Sequence, residues 1–168
     1  MKIKEKKMTE KEFALKQIKQ SQGNAFKYLS KELQEDHEVI LEAVKQNGLL
    51  LEYASEELRK DKEFILKAIK QDGHALLYVH YKLKDDKEVV LTAVTQNGWS
   101  LKYASEELKD DKDVVLQAVK HSGHVLQYAS HELQNDKKVV LEAMTRNVYS
   151  LQYAGEELLN KFLILLKK

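Results

Sequence analysis

The stretch "AVKQNGLLLEYASEEL", Ala43 to Leu58, returns fifty residues later as "AVTQNGWSLKYASEEL", Ala93 to Leu108. Working outward from these two copies, tyrosine recurs at Tyr28, Tyr53, Tyr78, Tyr103, Tyr128 and Tyr153, a spacing of 25 residues each time. A leucine follows five residues after each, from Leu33 to Leu158. Glycines stand at 23, 48, 73, 98 and 123, and aspartates at 36, 61, 86, 111 and 136. Self-similarity at a fixed period is the signature of a repeat architecture. A longer period lies over it: "YASEEL" at Tyr53 and Tyr103 and "YAGEEL" at Tyr153 alternate with "YLSKEL", "YVHYKL" and "YASHEL". The duplicated unit is therefore about fifty residues, built of two related halves.

Each half reads as two helices. Asp36 is an N-cap candidate, its carboxylate placed to accept from exposed backbone N–H groups, and Glu38 complements the positive end of the helix dipole. Val39, Ile40, Leu41, Ala43 and Val44 then span roughly 200° of the helix circumference, the width expected of a helix sandwiched between neighbours. Gly48 is expected to end that helix in a left-handed C′ conformation. The second segment, Leu49 to Lys60, carries Leu50, Leu51, Tyr53, Ala54 and Leu58 on one side, and Ser55 ahead of two glutamates can cap a separate final turn. Units of 25 residues cannot bury both faces alone, so they stack. The expected fold is all-α: a right-handed solenoid of six 25-residue helix-turn-helix repeats, or three units of about fifty, with a C-terminal capping half-repeat. It forms one domain over residues 1–168, with a basic tail at 1–8, repeats over 9–160 and a cap at 161–168.

The ends depart from the pattern. Thr9 and Glu12 form a capping-box signature, and the first copy has one extra residue before Gly23. In the last copy Val148 replaces glycine, which predicts that Asn147 takes the left-handed cap instead, and Lys161 replaces aspartate. The following "FLILLKK" is expected to close the last groove. Its leucines, Phe162 to Leu166, offer a dimer contact as the alternative to a monomer.

Composition narrows the function classes. The 168 residues contain no proline, where average usage would place about eight, and no cysteine. The first absence favours uninterrupted helix, and the second excludes disulfides and thiolate chemistry. Charge is balanced at 28 basic and 27 acidic residues, without the excess of a general nucleic-acid binder. The N-terminus lacks the apolar core of a secretory signal, and the apolar run at 162–166 is too short to span a bilayer. The expectation is a cytoplasmic protein without membrane partner or cofactor.

The repeated string Asp-Lys-(Glu/Asp)-Val-Val-Leu-x-Ala-Val-x-x-Asn-Gly-x-x-Leu-x-Tyr-Ala-Ser-Glu-Glu-Leu resembles a bacterial and viral family of tandem units about fifty residues long, a domain of unknown function. The resemblance covers Lys11 to Leu158, with Val148 and Lys161 as departures. It implies a helical-repeat fold and no reaction. Similar repeats occur in phage and mobile-element proteins, including candidate anti-CRISPR inhibitors. The resemblance therefore implies an inhibitor, with a CRISPR effector nuclease as one class of partner.

The chemistry-bearing residues mostly follow the repeat, as scaffold residues do. Ser-Glu-Glu reads as capping chemistry, and the aspartates read as caps. The tyrosines are expected to pack between repeats with bonded hydroxyls. His74 and His124 lie two repeats apart, some 20 Å at about 10 Å per layer, and cannot share a metal ion. One position is released from the pattern. After the glycine column stand Asn24, Leu49, His74, Trp99, His124 and Tyr149. Large amphipathic side chains there suit a protein-binding ridge, of Leu49, His74, Trp99, His124 and Tyr149, extended by His121 and Arg146. The expected function is a non-catalytic module that inhibits or adapts a larger protein by occupying its surface. The alternatives are RNA or DNA binding along Lys19, Lys45, Lys70 and Lys120, and an oligomerising scaffold.

Overall fold

A computed structural model describes residues 8–166 of the chain. Three kinds of segment alternate along it. Long α-helices occupy Glu10–Gln20, His37–Gln46, Lys62–Gln71, Lys87–Gln96, Lys112–Val119 and Lys137–Arg146. Each leads into a 3₁₀ helix: Phe26–Tyr28, Gly48–Tyr53, Gly73–Tyr78, Gly98–Tyr103, Gly123–Tyr128 and Val148–Tyr153. A short terminal helix completes each repeat, as at Glu56–Lys60 and Glu106–Lys109. The expected second helix is therefore split, and Ser55, Ser105 and Ser130 cap its final part. Among the described residues there is no strand.

Long helices stack on long helices and 3₁₀ helices on 3₁₀ helices, giving two parallel rows. Between them lies one core that runs the length of the chain, through Val39, Ile40, Ala43, Val44 and Leu51 and their equivalents. Backbone bonds tie the short helices across layers: Ser105 N–H donates to Lys84 O at 3.0 Å, Ser130 N–H to Lys109 O at 2.9 Å and Gly155 N–H to Gln134 O at 2.8 Å.

The aspartate caps form as the spacing predicts. Asp36 Oδ1 accepts from the amides of Glu38 and Val39 at 3.0 and 3.2 Å, and Asp86 does the same with Glu88 and Val89. The Thr9–Glu12 capping box is also present. The outer carboxylate oxygens carry a second task. Lys11 reaches Asp36 at 3.0 Å, Lys62 reaches Asp86 at 2.8 Å, Lys87 reaches Asp111 at 2.6 Å, and Lys112 pairs with Asp136. An ion-pair ladder thus links the starts of successive helices. At one junction His37 replaces the lysine, and its ring tilts against Phe64 at 5.3 Å instead.

Burial pushes these aspartates up, but the lysine and two backbone amides outweigh it and hold Asp36, Asp86, Asp111 and Asp136 below the ordinary carboxylate value. A carboxyl depressed by folding stabilises above its unfolded pKa, about 3.9, and that stability is lost as pH falls through the folded value. The denaturation midpoint is therefore expected to hold from pH 7 to about 5 and to fall below about 4. Lys87→Met should make this fall shallower; equal slopes for variant and parent would rule out the ladder as its source.

The glycine column works differently from the left-handed cap expected of it. Asn47 is extended, with φ −158, and its Oδ1 accepts from Leu49 N–H at 3.0 Å, so it ends the long helix and caps the 3₁₀ helix. The glycine is small because the next layer presses on it. A Cβ on Gly73 would sit 2.6 Å from Ala93 O and 3.1 Å from Asn97 Cβ. Only Gly23 is left-handed, at φ 89, where the extra residue lets its N–H reach back to Ile18 O at 2.8 Å. Asn147, at φ −157, likewise does not take the left-handed cap. Val148 fits because no following layer approaches it, and it is 60% exposed.

The last unit is rebuilt in two further places. Gly155 stands where four repeats have a capping serine and one has His80, and Asn135 of the preceding repeat fills the space. Its Oδ1 caps the terminal helix by accepting from Leu158 N–H at 3.2 Å. Without an aspartate at position 161 to restart the pattern, that helix runs unbroken over Glu156–Leu166. Ile164 is 60% exposed; the contacts expected of Phe162, Leu163, Leu165 and Leu166, including the dimer seam, lie outside the described side chains, as residues 1–7 of the basic tail lie outside the described chain.

Candidate binding surface

The 3₁₀ geometry decides what faces out. With three residues per turn, Gly48, Leu51 and Ala54 share the buried side, as do Gly98, Leu101 and Ala104. Tyr53 and Tyr103 lie two residues past the buried leucine, about 240° round, and emerge on another face. The tyrosine column therefore lies at the edge of the core, where Tyr78, Tyr103, Tyr128 and Tyr153 pack against it with one side open. Tyr28 is 79% exposed and Tyr53 42%, and Tyr78, Tyr103, Tyr128 and Tyr153 are half-buried.

The position after glycine opens each 3₁₀ helix, and its side chain leans toward the next layer. Trp99 meets Tyr128 edge-on at 6.1 Å between ring centroids, and His124 meets Tyr153 in the same way at 5.9 Å. Ridge and tyrosines thus merge into one aromatic strip along the stacked 3₁₀ helices. Leu49, His74, Trp99 and Tyr149 are exposed on it, and His124 is half-buried. His121 and Arg146 lie exposed at the ends of their long helices, beside the strip. The surface role of the tyrosines is what the 3.6-residue period missed; the three-residue spacing of Gly48, Leu51 and Ala54 carried the signal.

Polar groups brace the strip. Asp72 Oδ1 lies 3.0 Å from His74 Nδ1, and Asn97 Nδ2 lies 2.8 Å from His74 Nε2. Asn97 Nδ2 also lies 3.1 Å from His74 Nδ1, so the ring is held between the carboxylate of its own repeat and the amide of the next. Asn147 Nδ2 lies 2.8 Å from His124 Nε2, but Ser122 stands where Asp72 does, and His124 Nδ1 is buried without a partner among the described residues. Loss of hydration, then the Glu52 carboxylate, push the Tyr78 hydroxyl above the ordinary phenol value, with Tyr53 and Tyr103 adding to it. Lys102 lies over the Tyr103 ring at 5.8 Å.

Chemistry of other kinds does not converge. Among the described residues no three histidine or acidic side chains are grouped to hold a metal ion, and no described helix is long and apolar enough to cross a membrane. Lys45, Lys70 and Lys120 are exposed at or near the ends of long helices, but threonines at 95 and 145 interrupt that column.

These features define an all-α tandem-repeat protein with a braced aromatic surface. The chain belongs to the family described as Domain of unknown function (DUF4116), whose model matches three times in tandem, at residues 10–59, 61–109 and 111–159. Each match spans two of the 25-residue repeats, so the fifty-residue unit read from the alternation is the family's unit. No curated protein and no solved structure matched the chain.

Proposed function

We propose that this protein is a non-catalytic binding module that inhibits or adapts a larger protein by docking its aromatic strip onto it. One observation supports this above the rest. The 3₁₀ helices bury Leu51, Leu76, Leu101 and Leu126 completely, yet leave Tyr28, Tyr53, Trp99 and Tyr149 exposed, with the other tyrosines of the strip half-buried. Rigid aromatic side chains are the usual anchors of protein interfaces. The narrower expectation of a CRISPR effector nuclease as partner rests on the resemblance of the repeats to inhibitor proteins.

The same exposure supports a second reading, in which the tyrosines stack on nucleic-acid bases. Salt separates the two. Binding through apolar anchors should survive 0.5 M salt, roughly, whereas phosphate contacts lose about 10³–10⁵ in affinity between 50 and 200 mM.

Trp99→Ala is expected to change stability by about 1 kcal/mol, the loss of one edge-on aromatic contact, and to weaken partner binding by about 2 kcal/mol or more. Adding His74→Ala and Tyr149→Ala should abolish capture of the partner from its source cell, with the helical circular dichroism preserved. Undiminished capture by the triple variant would show that the strip is not the docking surface.

A further inference from the structure

We propose that the aromatic strip takes an extended, proline-rich segment of its partner carrying lysine or arginine, bound as a polyproline II helix along the stack. The inference rests on the reading of the strip as a protein-docking surface and names the class of segment that fits it.

Three features lead there. The first is period. Packed helices are spaced about 8–10 Å apart, so the tyrosines recur at about that interval. A polyproline II helix completes a turn of three residues in about 9 Å, so one proline face meets one tyrosine per repeat. The second is the mixture of groups. Polyproline II has no internal hydrogen bonds, and its carbonyls need donors. The strip sets the Trp99 indole N–H, tyrosine hydroxyls and the Gln152 amide among its ring faces, while the Gln127 amide donates to His124 O at 3.0 Å. An amphipathic α-helix satisfies its own backbone and asks for a long aliphatic groove. Aliphatic side chains on the strip are confined to Leu49, Leu77 and an open cavity at its end, where Val148, Leu151 and Leu159 lie beside Tyr149. Aromatic grooves of this mixed kind are the general solution for proline-rich ligands.

The third is charge. The terminal helices starting at Glu56, Glu106 and Glu156 open with two exposed glutamates, three and four residues after a column tyrosine. An open cavity of about 600 Å³ joins Gln127, Gln152 and Tyr153 to His131, Glu156 and Glu157. Four residues after the tyrosine stand Glu32, Glu57, Glu107 and Glu132, exposed and without an ion pair among the described residues. Glu157 is paired to Lys161 and Lys82 is the one cation in the column, so a largely acidic row borders the aromatic row. Cationic side chains on one edge of the ligand would face it.

The test uses the whole chain and a synthetic peptide of about five Pro-Pro-Lys triplets, which places every lysine on one edge. Binding is read by calorimetry and by the emission of Trp99. Pro-Pro-Glu triplets, a heptad-patterned helical peptide and oligodeoxythymidine serve as comparisons. The lysine peptide is expected to bind at least tenfold more tightly than each of these. Trp99→Ala and Tyr128→Ala should each weaken it tenfold or more, and Glu107→Gln with Glu156→Gln should narrow its lead over the glutamate peptide. Equal or tighter binding of the helical peptide or of the oligonucleotide overturns the proposal, as does no detectable binding of the lysine peptide. If the lysine peptide fails while capture of the natural partner still depends on Trp99, the proline-rich ligand falls and the docking strip stands. Capture that ignores Trp99 removes the strip itself.

Discussion

Leu101→Ala is expected to destabilise the protein by about 3–5 kcal/mol, and Tyr103→Ala, two residues away, by only about 1. Leu101 is fully buried between the two helical rows in the middle of the stack. Truncation there removes transfer free energy and leaves a cavity that neighbours on both sides are too constrained to fill. Tyr103 is half-buried, so its ring loses much less when removed. The position of the lesion has a further effect. In a linear array each repeat leans only on its neighbours, and a weak central interface uncouples the halves. The Leu101→Ala chain should therefore melt in a broader transition than the parent. Equal midpoints for the two variants would mean that the 3₁₀ helices are turned differently from the description above.

Gly73→Ala is the second large effect, about 2–3 kcal/mol. One methyl group would meet the carbonyl of Ala93 at 2.6 Å, a backbone atom held in the next long helix, and movement of the Ser100 side chain at 3.1 Å would not relieve that contact. The cost arises from two layers forced apart and not from backbone conformation, because Gly73 is not left-handed. The comparison that isolates this cause is Val148→Ala in the same column, which should lie within about 0.5 kcal/mol of the parent. Chemical denaturation of the two variants decides the matter. A small loss at Gly73 would show that the layers can slide.

Much of the fold was legible because its causes repeat. Asp36, Asp86 and Asp136 sit ahead of two apolar residues in every copy, and a cap followed by a buried face permits little else. The split second helix was partly legible, through Ser55 and its glutamates. What the 3.6-residue period concealed was the 3₁₀ turn. Leu50, Leu51 and Tyr53 fall on one side of an α-helix, and only burial every third residue, at Gly48, Leu51 and Ala54, separates tyrosine from the core. The glycines were misread for a related reason. Sequence shows which residue ends a helix, but the pressure on Gly73 comes from Ala93, twenty residues on and one layer away. The ridge at Leu49, His74, Trp99 and Tyr149 was found by its freedom from the repeat; its merger with the tyrosines needed the stacking to be seen.

Val148 gives the array a direction of growth. A duplication that added a fifty-residue unit beyond the present last one would bring a new alanine carbonyl against the valine side chain, and the joint would not close. A unit inserted anywhere before it meets glycine and seats normally. Lengthening by whole units is thus open from within and shut at the end. Val148→Gly would reopen that joint, so that the bulky residue works as punctuation, closing the sentence wherever it stands.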